Sequence, residues 1–387
     1  MLERIARGHI PGKPHVVFRS AGGAPYYEEC LTRGGFEGPF SMLYHEHRPH
    51  EAQPVVSVLQ CPPLSSTARS ELRRRHFRCL ALGAQKSPPL ASDTPLLFNE
   101  QVVVGFARPS GQDRAYVSNA DADRLYFVLQ GAGVLRSAFG DLRFGAQEYV
   151  YVPKGVIHRF VPEPNVPQAW LWLEARSAFR IPTRYRNAVG QLRMDAPYSH
   201  RDFRAPEFTG PVDEGLRLVV VKRNQTFHTF EYPHSPLDVI GFDGAVYPLV
   251  FPILAFQPRV GQLHLPPTVH ATFEAEGALV CSFVPRLLDF HEAANPCPYP
   301  HSSVDMDEVL FYVSSAFTSR RGIASGSLSY HPAGIPHGPH PGAYEAVPEA
   351  RRTDEIAVML DTSSALSVSV QALEVEDPGY HGSFAAR

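Results

Sequence analysis

The segment between His301 and His337 constrains the fold of this chain more than any other part of its sequence. It contains a run rich in Val, Phe and Tyr from Glu308 to Phe317, and a second apolar run, Leu328 to His331, after a glycine-rich turn. Short runs of β-branched and aromatic residues between turn residues are typical of strands. The segment therefore predicts two strands with histidines and a carboxylate near their ends.

The polar residues of this segment form a possible metal-ligand set. His301, Glu308 and His337 offer two imidazoles and one carboxylate. This set holds non-haem Fe(II) and leaves coordination positions open for O2 and a chelating substrate. Because no thiolate belongs to the group, a structural zinc site is disfavoured. A histidine beside a Pro-Gly turn is more often a solvated surface group, so the interpretation depends on the spacing.

That spacing matches the pattern of cupin barrels, in which one hairpin has His-x-His followed by Glu and the other has Pro-x-Gly-x-x-His. Pro332-x-Gly334-x-x-His337 matches the second pattern in full. In the first pattern, Ser303 replaces the second histidine before Glu308. The pattern therefore predicts a site with three protein ligands instead of four.

A second, incomplete copy of the pattern lies between residues 95 and 180. Pro153-x-Gly155-x-x-His158 repeats the histidine motif, but Arg124 occupies the position of the glutamate and no histidine precedes it. One imidazole cannot hold a metal, so we interpret His158 as structural. The repeat indicates a diverged internal duplication.

These patterns predict an all-β chain with two cupin-like barrels of the double-stranded β-helix or jelly-roll type. Residues 1–232 are expected to form an N-terminal β domain whose barrel, at about 95–180, lacks metal ligands. Residues 233–387 are expected to form the C-terminal barrel with the iron site. The 37 prolines favour short strands joined by turns, because proline interrupts helix interiors.

Composition excludes several classes of function. The formal charge of −3 argues against a nucleic-acid partner, since phosphate binding needs a basic surface. Apolar runs are too short to span a membrane, and the N-terminus does not look like a secretory signal. Five cysteines without framework spacing suit a reducing cytoplasm. His45 and His47 form a His-x-His pair with His50 nearby, but no further ligand follows this pair at the spacing of a cupin site. We interpret the cluster as a polar loop.

In its sequence motifs the chain resembles the homogentisate 1,2-dioxygenase family. The resemblance is clearest over residues 235–361, in Phe242-Asp243-Gly244, the hairpin from His301 to Glu308, and the motif ending in His337-Gly-Pro. It implies a cytoplasmic Fe(II) enzyme that inserts both atoms of O2 into a small aromatic acid. The family converts homogentisate to maleylacetoacetate in tyrosine and phenylalanine catabolism and forms hexamers built from trimers, so we expect a homo-oligomer.

The resemblance also implies roles for individual residues. His301, Glu308 and His337 correspond to the iron ligands, and Arg320 falls where the family has a lysine near the substrate's carboxymethyl group. A guanidinium can hold a carboxylate through two hydrogen bonds. The expected ring-binding wall and the candidate proton acceptors complete the predicted site: Phe311, Phe317 and Tyr330 for the wall, and His331, Asp243 and His270 for the proton acceptor.

Several departures keep other functions open. Asp243 replaces a catalytic histidine of the family, Phe317 replaces a tyrosine near the substrate, and the iron hairpin is one residue longer. These changes affect substrate orientation and proton transfer and leave the metal ligands in place. The alternatives are a paralogous dioxygenase for another hydroxylated aromatic acid, a cupin isomerase or hydrolase with another divalent metal, and a non-catalytic cupin binding protein.

Overall fold

The computed structural model describes residues 3–57, 59–67, 71–83, 87–314, 317, 319–343, 345 and 350–385. Within these residues the regular elements are short strands and single turns of 3₁₀ helix, and no α-helix occurs. The strands, numbered in chain order, are β1 Ile5–Gly8, β2 Tyr27–Thr32, β3 Phe40–His45, β4 Gln53–Val55, β5 Arg75–Arg78, β6 Thr94–Phe98, β7 Val102–Ala107, β8 Tyr116–Asn119, β9 Asp123–Gln130, β10 Gly133–Ser137, β11 Gly140–Phe144, β12 Glu148–Val152, β13 His158–Pro162, β14 Ala169–Ala175, β15 Leu218–Arg223, β16 Thr226–Glu231, β17 Val239–Gly244, β18 Leu249–Pro252, β19 Ala271–Ala275, β20 Ala278–Phe283, β21 Arg286–Leu287, β22 Asp307–Tyr312, β23 Ser327–His331, β24 Arg352–Thr353, β25 Ala357–Thr362 and β26 Ser367–Val368. The 3₁₀ helices are Cys79–Ala81, Pro89–Ala91, Thr183–Tyr185, His200–Asp202, Ile253–Ala255, Pro267–His270, Gln371–Val375 and His381–Phe384.

Two seven-stranded sheets form the N-terminal barrel. One has the strand order β11-β10-β13-β8-β15-β16-β4, and the other β18-β12-β9-β14-β7-β6-β26. Their facing side chains share one buried apolar cluster, with Leu135 and Phe160 from the first sheet and Tyr126 and Trp170 from the second. Alternating strand residues point to opposite faces, so each strand contributes every second side chain to this interior.

The C-terminal barrel is built on a six-stranded antiparallel sheet with the order β19-β20-β25-β22-β23-β5. One face of this sheet packs against the N-terminal barrel, where the ring of Phe311 lies 5.8 Å from Phe106 and 6.4 Å from Phe127 between ring centroids. The side chains of Glu308 and Tyr312 alternate with Phe311 and therefore lie on the other face. This alternation separates an apolar interface between barrels from a polar interior.

The all-β, two-barrel cupin-like fold is confirmed. Strand pairing nevertheless crosses residue 232: β18 pairs with β12 of the N-terminal barrel, and β5 pairs with β23 of the C-terminal sheet. In addition, β17 joins β1, β2 and β3 in a separate four-stranded sheet. The domain boundary at residue 232 therefore remains a prediction, and strands from both sides of it pair with each other.

The described residues contain no helix that is long and apolar enough to cross a membrane. All five cysteines are free thiols.

Candidate metal centre

The two outer histidines of the predicted triad are held together by their own backbones. The His301 N–H donates to the carbonyl of His337, the His337 N–H donates to the carbonyl of His301, and both hydrogen bonds are 2.8 Å long. Gly338 follows with a φ of 156°, and a Cβ atom there would lie 2.6 Å from the Cα of Pro300. The loops before β22 and after β23 can approach this closely because residue 338 has no side chain.

Glu308 reaches the same point from strand β22. Its Oε2 atom lies 3.8 Å from Nε2 of His301 and 3.7 Å from Nε2 of His337. One ligand atom from each of the three residues lies within 4.8 Å of the other two. The structure therefore brings together the three residues that the sequence spacing selected.

These residues fit a divalent metal ion. His337 is buried, and among the described residues neither of its ring nitrogens has a hydrogen-bond partner. A buried polar atom without a partner is unfavourable unless something else satisfies it. Two imidazoles and a carboxylate match the facial set of non-haem iron proteins.

His331 orients the carboxylate. It ends strand β23 directly opposite Glu308, and its Nδ1 lies 2.7 Å from Oε1 of Glu308. Because an ionised carboxylate only accepts hydrogen bonds, Nδ1 carries the proton and donates it. The second ring nitrogen of His331, Nε2, lies 3.4 Å from the hydroxyl of Tyr380. This arrangement leaves Oε2 of Glu308 free to face the two outer histidines.

The protonation states of Glu308 and its neighbouring histidines depend on burial and on the interactions among these side chains. Burial raises the pKa of the Glu308 carboxyl, but the three surrounding histidines outweigh it and hold the pKa well below its usual range. Burial lowers the pKa of His331 to about 4, so its ring is neutral near pH 7. Glu308 raises the pKa of His301 in the metal-free site. When both ligand imidazoles are neutral, as metal binding requires, the group presents one negative charge to a cation.

Arg320, a half-buried residue, lies near this group. The Nε and Nη1 atoms of Arg320 are buried and have no hydrogen-bond partner among the described residues. Phe317, which the sequence placed at the substrate, packs edge-on against Tyr312 with ring centroids 4.6 Å apart. The hydroxyls of Tyr312 and Ser329 are 3.0 Å apart. A guanidinium with two unpartnered nitrogens can donate hydrogen bonds to a carboxylate.

His270 lies on the same face of the sheet as the triad. Phe283 on β20, Ala357 on β25 and Tyr312 on β22 are paired in register, and residues opposite each other share a face. The ring of His270 lies 5.2 Å from that of Phe283. Its Nδ1 is buried with no partner among the described residues, and burial lowers its pKa to about 3.

The structure places the other predicted site residues elsewhere. Tyr330 is paired with Val309, so it lies on the opposite face of the sheet, and its hydroxyl donates to Asp307 at 2.7 Å. Phe311 lies in the interface between barrels. Asp243 is on β17 in the four-stranded sheet and forms an ion pair with Arg4. In the part of the chain that the structure describes, none of these three side chains forms a hydrogen bond or ion pair with the triad.

Sequence reasoning missed two residues of this interior. Asp361 on β25 is directly opposite Glu308, and burial together with Glu308 raises its pKa to about 7. Tyr380, near the end of the chain, is buried beside His331. An acidic residue inside the apolar run from Glu355 to Asp361 was a possible signal for Asp361, whereas no local pattern points to Tyr380.

The N-terminal barrel replaces a metal with an ion-pair network. The guanidinium of Arg124 contacts Glu174 at 2.7 Å and Asp93 at 2.5 Å, and Lys222 contacts Glu174 at 2.6 Å. Nδ1 of His158 lies 2.9 Å from the carbonyl of Val156, and burial lowers the pKa of His158 to about 4. Side-chain cations thus neutralise the buried carboxylates of this barrel.

A second group of metal-binding side chains lies outside the barrels' interiors. His47, His234 and Asp238 place ligand atoms within 4.8 Å of one another. However, the rings of His47 and His234 are stacked, 4.5 Å apart and inclined by 14°. A metal ligated by two imidazoles lies near the plane of each ring, which parallel stacked rings do not allow. His45 and His47 instead both hydrogen-bond Asp238, at 2.7 and 2.9 Å.

Comparisons with known proteins identify the family of this chain. The family model "Homogentisate 1,2-dioxygenase N-terminal" matches residues 102–253. A protein of Saccharolobus solfataricus named "Putative dioxygenase" is 33% identical over 97% of both chains. Homogentisate 1,2-dioxygenase of Bradyrhizobium diazoefficiens is 26% identical over 66% of this chain, and the match spans 58% of that enzyme.

Among solved structures, a cupin 2 conserved barrel protein from Leptotrichia buccalis aligns with 75% of this chain and 96% of its own, at 9% identity and a TM-score of 0.33. That score is too low to bear on function. The family model and the dioxygenase relative that matches over 97% of its length together give the assignment: the chain belongs to the homogentisate dioxygenase family of cupin-fold proteins.

Proposed function

We propose that this protein is an Fe(II)-dependent dioxygenase that opens the ring of a hydroxylated aromatic acid, with homogentisate as the first candidate substrate. The reaction expected from the family resemblance would be homogentisate plus O2 to maleylacetoacetate. The observation that supports it best is that His301, Glu308 and His337 place ligand atoms within 4.8 Å of one another, near an arginine, Arg320, whose Nε and Nη1 have no hydrogen-bond partner among the described residues. The first group suits a metal, and the second suits a carboxylate beside it.

His301, Glu308 and His337 would hold the ion. When bound, Fe(II) supplies a site for O2 and for the phenolate of the substrate, and it favours ionisation of the phenol. His331 keeps Glu308 in place through its Nδ1–H donor. Hydrogen bonds from residues behind the ligands fix the orientation of metal-binding side chains.

His270 is the proton acceptor that we assign. Its ring is neutral at pH 7 and its buried Nδ1 has no partner among the described residues. His331 is less available, because Nδ1 donates to Glu308 and Nε2 faces Tyr380. Asp243 is neutralised by Arg4 in another sheet. A general base needs an accessible lone pair within reach of the substrate proton.

Arg320 would bind the carboxylate, and Phe317 would contact the substrate ring beside it. Burial of the guanidinium removes competing water, which strengthens its interaction with an anion. Cytoplasmic location and assembly into a trimer or hexamer accompany the proposal as expectations from the family.

The test is O2 consumption by protein loaded with Fe(II) in the presence of homogentisate, followed by absorbance of the ring-opened product. One O2 consumed per substrate supports the proposal. Metal loading without O2 uptake would move the substrate to another hydroxylated aromatic acid, such as gentisate, because Phe317 and Asp243 differ from the family pattern. Turnover of a substrate without O2 would indicate a cupin isomerase or hydrolase. No reaction with any of these compounds would favour a binding protein.

A further inference from the structure

The C-terminal segment from Glu376 to Ala385 closes the C-terminal barrel beside the candidate metal centre. The Asp377 N–H donates to the carbonyl of His76 on β5 at 2.8 Å, and Arg78 pairs with the Asp377 carboxylate at 2.8 Å. Farther along, Nδ1 of His381 accepts from the Arg74 N–H at 3.2 Å. The segment is therefore attached to the edge strand of the six-stranded sheet.

A second set of contacts attaches the segment to the loop after the last metal-ligand candidate. Nε2 of His340 lies 2.7 Å from Oγ of Ser383, and the ring of Phe384 stacks on His340 at 4.0 Å. The guanidinium of Arg74 lies over Phe384 and donates to the carbonyl of Pro336, next to His337. These contacts fix the position of the residue between them, Tyr380.

Tyr380 and Arg320 both lie near the ring of Phe384. The guanidinium carbon of Arg320 lies 6.0 Å from the ring centroid of Phe384, and the rings of Tyr380 and Phe384 are 5.4 Å apart. Tyr380 is only 3% exposed. Two buried N–H groups of Arg320 have no partner among the described residues. The Arg320 guanidinium therefore lies near the Tyr380 hydroxyl, whose contact among the described residues is Nε2 of His331.

The hydroxyl of Tyr380 forms only a weak hydrogen bond with His331. Its contact with Nε2 of His331 is 3.4 Å, well beyond the usual 2.7–2.8 Å of a strong hydroxyl hydrogen bond. Burial raises the pKa of Tyr380, so the hydroxyl keeps its proton and can donate it. An incoming carboxylate would offer this donor a stronger acceptor than the imidazole does.

We propose that Tyr380 is a specificity-determining residue that binds the substrate's carboxylate together with Arg320, so that the C-terminal segment forms the acid-binding wall of the site. This inference rests on the proposed function for the identity of the substrate.

The experiment uses Tyr380→Phe, which removes one hydroxyl and keeps the ring. Tyr116→Phe is the matched control, since Tyr116 is equally buried and its hydroxyl donates to Glu214 in the N-terminal barrel. The first readout is the affinity of the metal-free protein for phenylacetate, measured by calorimetry. Phenylacetate has the carboxylate and no ring hydroxyl, so it reports on the acid site alone.

We expect Tyr380→Phe to weaken phenylacetate binding by about ten- to a hundredfold, the effect of losing one hydrogen bond to a charged group. Tyr116→Phe should bind as the wild type does. With iron and homogentisate, KM should rise by a similar factor while kcat changes by less than about threefold, and iron content should stay the same. A purely structural role would instead lower iron content and kcat together.

Equal affinity of the wild type and Tyr380→Phe for phenylacetate would overturn the inference, as would the absence of phenylacetate binding by the wild type. Failure of the proposed function looks different. In that case the wild type would consume no O2 with homogentisate, yet phenylacetate binding would still depend on Tyr380.

Discussion

Replacing His331 tests whether the metal site depends on a residue that does not touch the ion. His331 is fully buried and donates a 2.7 Å hydrogen bond to Oε1 of Glu308. His331→Ala removes this donor and leaves all three proposed ligands unchanged. Glu308 would then lose the contact that turns its other oxygen, Oε2, toward the two outer histidines.

Two independent considerations give the expected loss of metal affinity in His331→Ala. Loss of a second-sphere partner typically lowers metal affinity by about 10- to 100-fold. Since each tenfold change corresponds to about 1.4 kcal/mol, the expected loss is about 1.4–2.8 kcal/mol of binding free energy. A hydrogen bond to a charged group contributes about 1.5–3 kcal/mol, which agrees with that range.

The assay is Fe(II) titration of apoprotein under anaerobic conditions, with thermal unfolding measured in parallel. His331→Asn is the matched control, because the asparagine amide can place an N–H donor near the former Nδ1 position. We expect His331→Asn to recover most of the affinity lost in His331→Ala, even if both variants unfold at a lower temperature. Wild-type Fe(II) affinity in His331→Ala would refute the argument that this hydrogen bond orients Glu308.

Three other outcomes are expected. His337→Ala should lose bound iron and O2 consumption together, measured by metal analysis and an oxygen electrode; normal iron content would remove His337 from the ligand set. Asp243→Asn should keep kcat within about threefold of the wild type, because Asp243 pairs with Arg4 away from the triad; a loss of a hundredfold or more would restore it as the base. Despite the cost of burial, hydrogen bonds to Asp238 and Glu29 raise the pKa of His45 to about 9. A raised folded-state pKa gives stability that is full below about 6.5 and is lost as pH rises toward 9. Roughly 3 kcal/mol of unfolding free energy should therefore disappear over that interval in denaturant titrations, and His45→Gln should flatten this dependence.

The local pattern of the sequence was sufficient for the strands and for the metal group. Alternating apolar residues, turn glycines and 37 prolines predict short strands with few alternatives. The spacing of Pro332, Gly334 and His337 predicts the second ligand loop because a Pro-Gly turn fixes where the next side chains point. Two such half-motifs in order also predict that His301, Glu308 and His337 meet.

Only the tertiary structure decided which other side chains reach that point. Whether a residue faces the interior depends on strand register, and a shift of one residue exchanges the two faces. Tyr330 and Asp361 lie in similar apolar runs, yet register turns Tyr330 away from Glu308 and sets Asp361 opposite it. Asp243 pairs with an N-terminal arginine across a sheet that no local pattern predicts. Tyr380 reaches His331 from 49 residues away in sequence, through contacts that exist only once the chain end docks on β5.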